Sequence, residues 1–73
     1  MALSVYMVDV FGAGSFSGNP LAVVVGADGL PTGEMQRMTR WFNLSETAFL
    51  LSPTHPEADY RVRIFTLERE MPF

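Results

Sequence analysis

The sequence predicts an α+β layer in which short strands pack on one main helix, in the order β, β, α, β, β. Three observations carry this prediction. Two apolar, β-branched runs near the amino end are each closed by glycine, a single segment then shifts to helical period, and two later runs return to extended patterning. The chain has 73 residues, five Lys+Arg against eight Asp+Glu, and no cysteine. That is room for one small acidic unit or a piece of a larger one, with no disulfide to support it.

Residues 5–11, Val-Tyr-Met-Val-Asp-Val-Phe, read as a strand stopped by Gly12-Ala13-Gly14. Tyr6, Val8 and Val10 alternate with Val5, Met7 and Phe11, so both faces are apolar and the strand is expected to lie sandwiched between other elements. Asp9 is the exception within it. After a loop over residues 12–20, the run Leu21-Ala22-Val23-Val24-Val25 fits a buried central strand, with Pro20 tolerated at its start.

From Pro31 the period changes. Met35, Met38 and Phe42 recur at helical spacing, Trp41 widens the stripe, and Gln36, Arg37 and Arg40 take the other side. Residues 31–42 are therefore the one clear helix, with Thr32 as its expected cap, Glu34 at the positive end of the dipole, Arg40 at the negative end and Asn43 as a left-handed terminator. Residues 46–51 return to extended structure, and residues 52–57, which include His55, form a turn-rich loop. In the last strand Tyr60, Val62, Ile64 and Thr66 alternate with Arg61, Arg63 and Phe65. The chain shows no repeat or low-complexity tail. It ends directly after an apolar patch, Met71-Pro72-Phe73, which reads as a truncation.

Composition removes several functions. A net charge of −3 argues against a nucleic-acid surface, which normally carries a basic excess. Without cysteine there is no thiol nucleophile or thiolate zinc site, and His55 has no second histidine to complete a metal set. The first ten residues lack a basic segment followed by a small-residue cleavage site, and no apolar run approaches the roughly 20 residues that span a bilayer. The expectation is a cytoplasmic protein with neither membrane nor nucleic-acid partner.

Gly12, Gly14 and Gly18 do not make a dinucleotide fingerprint, because Ser17 stands where the third glycine belongs and a strand, not a helix, follows. They supply backbone freedom to a loop, or Ser17-Gly18-Asn19-Pro20 shapes a pocket floor. Glu46 opens an apolar strand and shares a face with Ala48 and Leu50. Partial desolvation there would favour the neutral acid, the tuning that general acid/base work needs. The opposing reading places Glu46 at a strand end in solvent. Ser45 has no visible His/Asp pair to make it a nucleophile. Arg61 and Arg63 form the wetter face of their strand, with Asp9 and Glu68 as possible partners.

Five blocks together resemble one family. Val8-Asp9-Val10-Phe11, Ser17-Gly18-Asn19-Pro20-Leu21-Ala22-Val23, Asn43-Leu44-Ser45-Glu46-Thr47-Ala48-Phe49, Arg63-Ile64-Phe65-Thr66 and Glu70-Met71-Pro72-Phe73 are similar, in order and spacing, to the amino end of the PhzF-like isomerases of phenazine biosynthesis. The resemblance implies a diaminopimelate-epimerase-like fold of two similar lobes with the active site between them. On that basis residues 1–73 are the amino-terminal part of the first lobe. It also implies isomerisation or epimerisation of a small carboxylated or cyclic metabolite by proton transfer without a cofactor. The family's catalytic glutamate falls on Glu46, its substrate-contacting serine on Ser45, and its pocket-forming turn on Gly18, Asn19 and Pro20.

Three positions depart from the family pattern: Gly12 where threonine is common, Leu67 where proline usually follows Arg-Ile-Phe-Thr, and Met71 for leucine. Family members continue with a glycine-histidine motif and a second lobe that supplies another acidic residue. The 73-residue chain alone is therefore expected to be inactive, to need the second lobe, and to allow a homodimer. The competing expectation is a non-catalytic binding or interaction module that retains the fold.

Overall fold

The computed structural model describes residues 3–10, 12–14, 16–54, 56–57 and 59–72. Strands β1 (Ser4–Val10), β2 (Asn19–Val25), β3 (Glu46–Leu51) and β4 (Arg61–Thr66) form one sheet in the spatial order β1-β2-β3-β4, and helix α1 (Thr32–Phe42) lies between β2 and β3 in the chain. The element order is the one the sequence predicts. β1–β2 and β3–β4 are antiparallel, whereas β2 and β3 are parallel. A parallel pair needs a crossover, and α1 provides it. Part of one face of the sheet is thereby covered.

Register decides which residues lie beneath the helix. Val24 is beside Phe49, and Thr47 is opposite Phe65, so these side chains share a face with Leu51, and Val24, Phe49, Leu51 and Phe65 build the core with Met35 of α1. Phe49 and Phe65 are fully buried and meet edge to face, with ring centroids 5.4 Å apart. Burying each large apolar side chain contributes about 1.5–3 kcal/mol, so this small cluster is the main favourable term. Met38 and Phe42 close its side as predicted, and Arg37 and Arg40 point outward.

The helix begins differently from expectation. Pro31 occupies the cap position, its carbonyl accepting from the amides of Glu34 and Met35, and no side chain caps the end. Thr32 is instead the first helical residue, its hydroxyl accepting from Arg63 Nη2 at 2.9 Å. Asn43 terminates the helix in the left-handed region (φ 56°), its amide bonded to the Thr39 carbonyl. Trp41 does not widen the core stripe: it is 83% exposed.

Two further expectations are corrected. β1 is not sandwiched but forms an edge, with Val5, Tyr6 and Met7 all exposed, because α1 spans β3 and β4 and does not reach across the sheet. Arg63 does not sit on a wet face. It shares the Phe65 side, lies 5.6 Å from that ring, and pairs with Glu70 rather than Asp9 or Glu68. Phe11, His55 and Phe73 lie outside the described residues.

The opposite sheet face carries Tyr6, Val8, Leu21, Val23, Leu50, Val62 and Ile64. No described element covers it, and Tyr6, Val8 and Val62 are exposed.

Candidate active site

The site begins where β1 turns into β2. Asp9 is paired with Pro20, and Val10 with Asn19, so the loop between them starts and ends at adjacent points on the sheet. Its root is crowded. A Cβ on Gly18 would overlap the Val10 carbonyl oxygen and Asp9 Oδ1, which explains a glycine there. The Ser17 amide donates to Asp9 Oδ2 at 3.2 Å, and the Ser17 hydroxyl accepts from the Gly14 amide while donating to the Gly14 carbonyl. These bonds fold the loop onto itself. Gly18 and Pro20 line an open cleft of about 420 Å³ with Met7, Val8, Asp9 and the fully exposed Phe16.

Beyond Gly18 the chain enters β2 at Asn19. The parallel register sets Leu21 beside Glu46, so Asn19 and the start of β3 are neighbours although 26 residues separate Asn19 from Ser45. The Ser45 hydroxyl donates to Asn19 Oδ1 at 2.5 Å. Glu46 follows as the first residue of β3, half-buried between Leu21 and Thr66 on the face away from α1. Among the described residues no hydrogen bond or ion pair engages its carboxylate.

The structure therefore brings Ser45, Asn19 and Glu46 to one end of the sheet, while Gly18 and Pro20 line the neighbouring cleft, of which Glu46 is not part. Asp9 was visible in the sequence only as a carboxylate in an apolar strand. Its contact with Ser17 depends on how the intervening loop closes. The Arg63–Glu70 pair was also missed. Arg63 Nε and Nη2 donate to the two Glu70 oxygens at 2.8 and 2.7 Å, and this guanidinium holds the Glu70 carboxyl below the usual range. The pair fixes the segment after β4, whose Met71 amide donates to the Ile64 carbonyl. The preceding turn closes on the Thr66 hydroxyl and the Arg69 carbonyl with Leu67 in place of proline, and Gln36 and Arg40 of α1 hold it through the Thr66 and Leu67 carbonyls.

Among the described residues no cluster of three or more His, Asp or Glu could hold a metal ion, and no helix is long and apolar enough to cross a membrane.

The family model described as phenazine biosynthesis-like protein matches residues 8–73. Antisense-enhancing sequence 1 of Schizosaccharomyces pombe is 53% identical over 66 residues, covering 90% of this chain and 22% of that protein. The trans-2,3-dihydro-3-hydroxyanthranilate isomerase of Pseudomonas fluorescens is 45% identical over 67 residues, covering 92% of this chain and 24% of the enzyme. The crystal structure of a PhzF-family phenazine biosynthesis protein from Enterococcus faecalis superposes with a TM-score of 0.81 at 42% identity, covering 97% of this chain and 26% of that one. The chain thus spans about a quarter of the length of the relatives it matches, and several relatives, those from Mesorhizobium japonicum and Pseudomonas fluorescens among them, are named isomerases. Matched over nearly all of its residues and sharing the fold of solved members, the chain belongs to the PhzC-PhzF family of phenazine biosynthesis-like proteins.

Proposed function

We propose that residues 1–73 are the amino-terminal part of the first lobe of a two-lobe, cofactor-independent isomerase or epimerase, in which Glu46 moves a proton on a small carboxylated or cyclic metabolite. The observation that carries this reading is the half-buried residue Glu46, its carboxylate engaged by no described side chain and standing next to the Ser45–Asn19 pair.

Such a carboxylate removes a proton from carbon beside a carbonyl or double bond, and the electron pair left behind delocalises into that π-system. A proton is then returned at another carbon in an isomerisation, or at the opposite face of the same carbon in an epimerisation, by the same group or by an acid from the second lobe. Ser45 and Asn19 offer hydroxyl and amide contacts that orient the substrate, while Gly18 and Pro20 shape the approach. Closure of a second lobe would exclude water and strengthen these interactions, so residues 1–73 hold the base without the enclosed site. Trans-2,3-dihydro-3-hydroxyanthranilate, named for one relative, is the first compound to try.

The test is Glu46→Gln in the full-length protein, which keeps the shape and removes the titrating group. Turnover is expected to fall at least about a hundredfold with folding unchanged. Near-normal turnover with intact substrate binding would refute the role. The uncovered sheet face with exposed Tyr6 and Val62 favours a second reading, a non-catalytic interaction module or a dimer built on that face. Full-length protein that binds a partner there and exchanges no proton with any candidate substrate would establish it instead.

A further inference from the structure

Asp9 lies on the sheet face opposite that of Glu46, since its partner Pro20 alternates with Leu21, the neighbour of Glu46. It is not placed to touch a substrate held at Glu46. Its carboxylate is nonetheless committed to the loop between β1 and β2. Oδ2 accepts from the Ser17 amide, and Oδ1 occupies the space beside Gly18 and Gly12 that side chains at those positions would take. The next residue after Gly18 is Asn19, whose amide oxygen takes the Ser45 hydroxyl.

We propose that Asp9 is a positioning residue: by clamping Ser17 and Gly18 it sets the direction in which Asn19 leaves the loop, and so the Asn19–Ser45 contact beside Glu46. This rests on the reading of Glu46 given above for its catalytic meaning, but the clamp itself is tested without activity. A carboxylate suits the task because it has two acceptor oxygens and no donor, so it takes a backbone amide without competing for the loop's other acceptors. The Cβ-free positions at Gly12 and Gly18 are what let it approach so closely.

The experiment is NMR hydrogen exchange on the full-length protein without ligand, comparing wild type, Asp9→Ala and Asp9→Asn. In Asp9→Ala the Ser17 amide, whose acceptor is removed, should exchange about tenfold faster, and NMR relaxation should show the Asn19 side-chain amide freed from the Ser45 hydroxyl, with exchange at Phe49 and Phe65 unchanged. Asp9→Asn keeps one acceptor and should lose only a few-fold, and it serves as the readout if the alanine variant fails to fold. Unchanged relaxation of the Asn19 side-chain amide would overturn the proposal, as would a rise in exchange at Phe49 and Phe65 equal to that at Ser17, which would mark general destabilisation. Turnover of Glu46→Gln is independent of this result. A loosened Asn19 with an active Glu46→Gln enzyme would sink the acid/base reading and leave the clamp standing.

Discussion

The Ser45 hydroxyl donates to Asn19 Oδ1 at 2.5 Å and so joins the start of β3 to the start of β2. Because β2 and β3 run parallel, both residues lie at the same end of the sheet, where Glu46 enters it. Removing the hydroxyl should free the amide without disturbing the core. We expect Ser45→Ala in the full-length protein to lower kcat/KM roughly tenfold, the scale of one hydrogen bond, while Ser45→Thr retains most activity. Steady-state kinetics on the two variants, with a thermal melt as control, decides this.

Gly18 and Gly14 lie in the same loop but differ in surroundings. A Cβ at Gly18 meets backbone and the Asp9 carboxylate, whereas one at Gly14 meets nothing within 4 Å. Gly18→Ala is therefore expected to destabilise by about 1–3 kcal/mol, as overpacking does, and Gly14→Ala to change stability by less than about 0.5 kcal/mol. Urea titration of both variants measures the difference. Equal effects would show that the loop root is not crowded.

The Arg63–Glu70 pair gives a signed pH dependence. Arg63, chiefly through its hydrogen bonds, lowers the Glu70 pKa below the ordinary 4.5. An unfolded glutamate then binds protons more readily than the folded one, so the contribution is present above pH 4.5 and is lost as pH falls through the lowered folded value. Partial exposure of both side chains limits it to about 1 kcal/mol. Glu70→Gln should remove this acid-side slope in stability measured between pH 6 and pH 3, about the range over which a carboxylate titrates. A variant with the wild-type slope would contradict the assignment.

Residues 1–73 expressed alone should self-associate and catalyse nothing. Tyr6, Val8, Val25 and Val62 are exposed on the uncovered sheet face, and β1 presents an open edge. Apolar faces and free edges of this kind recruit further copies. Light scattering over a dilution series, with proton exchange into a candidate substrate followed in parallel, tests both halves. A monomer at every concentration that still exchanged protons would overturn the expectation.

Local pattern was enough for most elements. The helical period of Met35, Met38 and Phe42 and the left-handed Asn43 are properties of a few neighbouring residues, and the same holds for the alternation that puts Thr47, Phe49 and Leu51 on one face of β3. The order of five quoted blocks likewise sufficed to identify the family, and to place Ser45 beside Glu46 and Gly18 before Asn19 and Pro20. What alternation leaves open is which face is covered, and by what. β1 reads as buried on both sides yet stands at the edge, because one helix of 11 residues covers only part of a four-stranded sheet. Arg63 looked like a solvated residue until register turned the side it shares with Phe65 toward α1, within reach of Glu70 and Thr32. The Asn19–Ser45 bond and the Asp9 clamp exist only once the parallel β2–β3 pairing and the closure of the glycine loop are formed. Those contacts join residues 8 and 26 positions apart in the chain, and their geometry is set by the packing of whole elements rather than by the preferences of the residues they join.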